Sequence, residues 1–289
     1  MTKPPDDEPA SSLLIRWWRS FLAAPLRRAN DESRVYLESP AGRGLDRKTV
    51  AVLLIACLAL TLHYYQCRAD QIAWLPWLLD GFGLAGAAAA VRSWLAAVQA
   101  SEIDRWTFWA LAGFVSYGVV PALAIRLVFR ERLADYGFKL RGAFADGWVY
   151  LVMLGVVGPL VWIVSYNKHF QETYPFYQHP RGVPLWPDFW RWEMAYGLQF
   201  LGVEFLFRGF LVHGLRRRFG AYAIVVMTVP YCMIHFGKPL PETLAAIIAG
   251  LALGFMSLRT RSIVLGVAIH MTVALSMDFA SMWRQGWFG

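Results

Sequence analysis

Residues 202–220 read GVEFLFRGFLVHGLRRRFG. The run opens as a lipid-soluble helix, carries Glu204 and Arg208 one helical turn apart, and ends on Arg216, Arg217 and Arg218. A charged side chain at membrane depth costs about 2.5 kcal/mol or more, so it faces a bundle interior and marks a site or a pairing. The stretch therefore reads as a transmembrane helix with a polar spot at mid-depth and a basic end.

The rest of the chain agrees. Of 289 residues, 57% are hydrophobic and only 17% charged, with 14 tryptophans and a mean hydropathy of +0.39. A soluble domain carries about 25% charge. Apolar runs at 49–66, 71–98, 106–129, 144–166, 192–215, 221–236, 242–258 and 263–283 predict an all-α, polytopic membrane bundle of about eight segments. The formal charge of +8 is not gathered into one groove-sized patch. It falls at the ends of apolar runs (Arg43, Arg47, Lys48; Arg130, Arg132; Arg216–Arg218; Arg259, Arg261), which is how topology is set. The expected partner surface is the lipid bilayer, with no nucleic acid. Cys57, Cys67 and Cys232 show neither CxxC nor Cys/His ligand spacing.

Residues 1–12 read as disordered and as no cleaved signal peptide, 13–28 as an amphipathic surface helix, and 29–48 as polar linker. The expected organisation is a tail (1–48), amino-terminal membrane segments (49–189), a carboxyl-terminal core (190–283) and a short tail (284–289). Basic loops at 130–141, 216–218 and 259–261 belong in the cytoplasm, as does the basic amino terminus. Three simple spans between 49 and 129 would break that parity. The run 71–98, with Pro76, Asp80 and Gly81, is the expected broken or re-entrant segment. The aromatic loop 167–191 belongs on the opposite side, with His169 and His179 in solvent.

Depth then brings the polar residues of the last four segments together. Helical rise places Glu204 about 18 Å from Arg216, His235 about 21 Å above the same face and His270 about 12 Å above it. The helix carrying His235 stops there, in HFGKPLPE (235–242), whose glycine and prolines break the helix and leave backbone groups for a wet cavity. A carboxylate, two imidazoles and water are the parts of a hydrolytic site: a base for water, donors for the oxyanion and an acid for the leaving amine. Glu204 and Arg208 alone read equally as a buried structural ion pair. His213 points half a rotation away from Glu204 and is expected to take no part.

These residues resemble the CPBP family, the intramembrane proteases related to the CAAX-processing endopeptidase and to bacteriocin-immunity (Abi) proteins. The family's EExxxR motif is matched by VEFLFRGF (203–210), its FxxxH by YCMIH (231–235), and its HxxxN or HxxxD in part by HMTVA (270–274). The resemblance covers about residues 190–280. It implies an intramembrane endopeptidase with a glutamate-activated water, acting on a membrane protein or lipid-anchored peptide near its carboxyl terminus. It implies a multi-pass protein of the bacterial inner membrane and no required cofactor, a divalent metal being left open. The implied catalytic residues are Glu204, His235 and His270, supported by Arg208.

Two positions depart from the pattern. Val203 stands where the first Glu of the pair belongs, and Ala274 where the Asn or Asp belongs. Glu242 is the candidate substitute carboxylate, and it reads at least as well as an ordinary helix N-terminal charge. Asp278 is expected near the far interface. Lys238 and Tyr231 are weak substrate-binding candidates, Lys238 for a substrate carboxylate. The rival to an enzyme is a catalytically silent binding or immunity protein on the same scaffold; a proton-coupled transporter would require an inverted repeat, which the sequence lacks.

Overall fold

A computed structural model describes residues 15–288. The disorder expected over residues 1–12 and the start of the amphipathic segment lie outside the described residues. In chain order the helices are α1 (Ala24–Glu38), α2 (Arg47–Gln66), α3 (Trp74–Gly81), α4 (Ala85–Ala100) and α5 (Glu102–Val128). They are followed by α6 (Gly147–Val164), α7 (Lys168–Thr173), α8 (Asp188–Phe219), α9 (Tyr222–Met233), α10 (Leu240–Thr260) and α11 (Val264–Arg284). No strand occurs among the described residues. The protein is an all-α, multi-pass membrane bundle.

Six helices, α2, α5, α6, α8, α10 and α11, are long and apolar enough to cross a membrane. Of the other two expected segments, 221–236 forms the 12-residue α9, and 71–98 breaks into α3 and α4 around Phe82–Leu84. That break resolves the parity. Lys48 Nζ lies 2.6 Å from Glu131 Oε1, so the start of α2 and the end of α5 share one face. The chain from Gln66 to Glu102 must then leave and return on the opposite side, as a hairpin closed by Asp80 and Arg92 at 2.7 Å.

The basic loops assemble on the face marked by Lys48. Arg259 pairs with Asp146 at 2.8 Å, and Arg216 and Arg261 both reach Glu32. The linker expected over 29–48 is helical as far as Glu38, because α1 docks on the end of α8: the Ser33 hydroxyl donates to the Arg218 carbonyl, and Asn30 Oδ1 accepts from the Ala221 N–H. Those tertiary partners outweigh the weak helix propensity of Asn and Ser. The opposite face holds the aromatic loop, with Arg191 paired to Asp104 and Tyr174 bonded to Glu242. His179 is not in solvent there: it is 3% exposed, with its ring against Phe189 and Trp287 and its Nε2 bonded to the Val183 carbonyl.

Helix α8 is the bundle's axis. Its most apolar window is 89% buried, against 11–44% for the other five spans. Gly202 sets the approach of α5, since a methyl there would stand 3.2 Å from Phe114 Cα and 3.3 Å from Tyr117 Cβ. Small residues allow such crossings where lipid supplies no hydrophobic drive. Leu54, Leu151, Val156, Val229 and Ile248 face outward, as lipid-exposed side chains must.

Candidate active site

The segment Phe205–Leu211 of α8 is wound as a π-helix, and it contains Arg208. Such wide turns recur at functional sites because they release backbone groups and re-aim side chains. Here the Arg208 carbonyl accepts from the Ser257 hydroxyl of α10 at 2.9 Å, and Ser257 also meets His213 Nε2 at 3.1 Å. His213 therefore supports the backbone behind Arg208 rather than facing Glu204.

Glu204 and Arg208 are both fully buried, with Arg208 Nη1 3.1 Å from Glu204 Oε1. The approach is off the hydrogen-bond axis, so it is an electrostatic contact more than a directed bond, and Nη1 and Nε have no hydrogen-bond acceptor. The guanidinium is fixed by two further contacts: its carbon lies 3.8 Å above the Tyr231 ring, and Nη2 donates to the Ala249 carbonyl at 3.3 Å. Planar stacking of this kind requires Arg and not Lys.

His270 of α11 meets the same carboxylate oxygen, Nδ1 to Oε1 at 3.0 Å. Its ring is held 4.4 Å from that of Phe200. The other carboxylate oxygen, Oε2, has no partner among the described residues and lies over Gly266, where a methyl would come within 2.7 Å of it. Only glycine leaves room for the carboxylate against α11.

His235 follows the end of α9, its Nδ1 2.8 Å from the Tyr231 carbonyl one turn back. The Tyr231 ring stands 4.8 Å from His235 and 6.5 Å from His270, centroid to centroid, and so joins Arg208 to both imidazoles. The structure thus brings Glu204, Arg208, His270, Tyr231 and His235 into one contiguous group. Lys238 and Glu242 pair with each other at 2.6 Å, and Glu242 also accepts from the Tyr174 hydroxyl at 2.5 Å. Burial first, together with the adjacent Tyr196 and Glu242, pushes the Tyr174 phenol up, so it remains a donor. Both members of the Lys238–Glu242 pair are therefore already occupied at the rim.

Val203 and Ala274 are 7% and 8% exposed, each packed in an apolar cluster. Asp278 is fully buried, and its carboxyl meets that of Glu193 on α8, itself 7% exposed. The Trp192 side chain, on the same helix as Glu193, also lies against the Asp278 carboxyl. The sequence places both acids beyond the Glu204–His270 layer, Glu193 11 residues before Glu204 and Asp278 eight after His270, but does not show that they meet. Among the described residues no group of three or more His, Cys, Asp or Glu side chains is placed to hold a metal ion.

The family model described as type II CAAX prenyl endopeptidase Rce1-like matches residues 185–276. That stretch, about a third of the chain, is similar to the CAAX-protease family. The match begins just before α8 and ends within α11, so the family core contains every residue of the contiguous group and excludes Asp278. No curated protein and no solved structure matches.

Proposed function

We propose that this CAAX-protease relative is an intramembrane endopeptidase that hydrolyses a peptide bond of a membrane-associated or carboxyl-terminally anchored protein, with Glu204 and His270 acting as one unit. The observation that carries the reading is the 3.0 Å contact of His270 Nδ1 with the buried Glu204 carboxylate. A carboxylate only accepts, so Nδ1 carries the hydrogen and Nε2 is left as the basic lone pair. His235 is oriented in the same sense by the Tyr231 carbonyl. A water lying between the two imidazoles donates one O–H to each Nε2 and turns its own lone pair toward a substrate carbonyl.

His270 is assigned as the base, because the Glu204 carboxylate beside its Nδ1 stabilises the imidazolium that forms. The water proton passes to His270 Nε2 and the water oxygen bonds to the carbonyl carbon. The imidazolium then returns the proton to the amine as the C–N bond breaks. Glu204 activates water through His270, its own oxygens being held by Arg208, His270 and the surface of Gly266. Tyr231 stands beside both imidazoles and Lys238 beside Tyr174, and we assign substrate contact to these two side chains. The basic face lies in the cytoplasm and the setting is a bacterial inner membrane.

The test is cleavage of membrane-anchored peptides by the purified protein in liposomes. Glu204→Gln and His270→Gln should each lower kcat/KM by about 100-fold or more while the thermal transition persists. Full activity in folded Glu204→Gln would refute the assignment. A silent binding or immunity scaffold is the second reading, favoured by the apolar packing of Val203 and Ala274. It is supported instead if the wild-type protein retains such peptides and cuts none.

A further inference from the structure

On the basic face, α1 and the end of α8 enclose a groove of about 740 Å³. Its charged lining is four arginines, Arg27, Arg28, Arg216 and Arg217, against two carboxylates, Asp31 and Glu32. The carboxylates are already committed. Glu32 lies within 3.3 Å of three guanidinium groups, those of Arg28, Arg216 and Arg261, and Asp31 pairs with Arg34 at 3.0 Å. Among the described residues Arg27 and Arg217 have no carboxylate partner, and Arg217 rests over the Tyr36 ring at 4.6 Å. The groove is therefore a site of surplus positive charge.

Its height in the bilayer is fixed by its neighbours. Just before α1, Phe21 is buried against Trp148 of α6 and Phe255 of α10, both on membrane spans. Trp17 and Trp18 beside it are 43% and 58% exposed, as tryptophans at the headgroup level are. The apolar Val35, 68% exposed, lines the groove beside the arginines. Guanidinium forks bind phosphate oxygens in pairs, and basic pockets at the cytoplasmic ends of spans hold anionic headgroups.

We propose that this groove binds the phosphodiester headgroup of an anionic phospholipid, such as phosphatidylglycerol, clamped between α1 and the last turn of α8. Arg27 and Arg217 supply the free donors, while Arg28 and Arg216 share theirs between the phosphate and Glu32. The lipid then braces the cytoplasmic end of the helix that carries Glu204, which makes the membrane's composition part of the site's support.

The experiment is native mass spectrometry of the full chain released from vesicles of phosphatidylglycerol and phosphatidylcholine. Arg27→Gln/Arg217→Gln is compared with Arg43→Gln/Arg141→Gln, which removes equal charge from exposed positions outside the groove on the same face. One phosphatidylglycerol should be retained by the wild type and by the outer pair, retention falling at least tenfold in the groove pair, with phosphatidylcholine not substituting. Equal loss in both double variants would reduce the effect to diffuse surface attraction and overturn the proposal. So would retention in the groove pair, or displacement of the lipid by inorganic phosphate at millimolar concentration. The single Arg27→Gln variant, at an exposed position, reads the same outcome if the double variant does not fold.

Discussion

Gly266→Ala tests the site at its tightest point. The added methyl would lie 2.7 Å from Glu204 Oε2, whereas a carbon and an oxygen rest at about 3.3 Å or beyond, so the carboxylate must retreat by about 0.6 Å. It cannot rotate freely, since Oε1 is held by Arg208 at 3.1 Å and His270 at 3.0 Å. The shift therefore passes to His270. A 1 Å misplacement of a reacting group costs about 100-fold, so roughly 0.6 Å should cost on the order of tenfold in kcat/KM. Overpacking costs about 1–3 kcal/mol, and Gly to Ala within a helix returns up to about 1 kcal/mol, leaving a net loss of roughly 0–2 kcal/mol. Gly254→Ala is the control: its methyl would meet Ile224 and Met227 at 2.8 Å, a similar crowding away from the carboxylate. Cleavage kinetics and thermal unfolding in the same detergent separate the two. Gly266→Ala should lose activity out of proportion to stability, and Gly254→Ala should not. Equal activity losses, or no loss in Gly266→Ala, would show that the Glu204–His270 geometry does not govern the reaction.

Two further outcomes follow from charges at different depths. Arg208→Gln leaves the Glu204 carboxylate buried without its cation and strips the stacking on Tyr231, so stability should fall by about 3–5 kcal/mol; an unchanged melting temperature would show that the pair is not structural. At the basic face, burial works against ionisation of Glu131, but hydrogen bonds from Lys48 and Tyr136 outweigh it and hold its carboxyl below the ordinary 4.5. A folded value below the unfolded one means that the α2–α5 clasp contributes in full above pH 4.5 and is lost as pH falls through the depressed value. Glu131→Gln should therefore flatten the acid limb of a melting-temperature profile taken between roughly pH 3 and 6, and an unaltered limb would assign acid sensitivity elsewhere.

The membrane class was legible because apolar runs of about 20 residues have few other uses. The meeting of Glu204 and His270 was legible for a related reason: helical rise converts residue number into depth, and a polar side chain at depth needs a partner. What depth does not encode is azimuth. The sequence placed Glu204, His235 and His270 at one level and Lys238 and Glu242 after the turn that follows His235, but did not show that Lys238 and Glu242 satisfy each other, although their i, i+4 spacing allowed it. Pairings between distant segments were hidden for the same reason. Lys48 with Glu131 decides the topology of the front half, and Glu193 with Asp278 joins α8 to α11, yet each residue alone resembles an interfacial charge. The helical stretch 29–38 was missed because its partners, Arg218 and Ala221, lie more than 180 residues away.

Val203 is where the two functional readings separate. In the family pattern this position carries a carboxylate. Here its side chain is 7% exposed and belongs to the apolar cluster that includes Tyr117, Phe207 and Tyr231. A base at 203 would have to be accommodated in that apolar packing, with Arg208 already turned toward Glu204 and Tyr231. If His270 takes the water proton, Val203→Glu adds nothing to the reaction and buries an unpaired charge. Stability should then fall by a few kcal/mol, with kcat/KM no higher than that of the wild type. If the scaffold is silent for want of that carboxylate, the same substitution should create cleavage where there was none. Parallel assays of wild type, Val203→Glu and Val203→Glu/His270→Gln decide between them. Activity that appears only in the Val203→Glu chains and survives loss of His270 would overturn the proton path proposed here, whereas activity present in the wild type and abolished in Val203→Glu/His270→Gln would leave the glutamate pair dispensable in this protein.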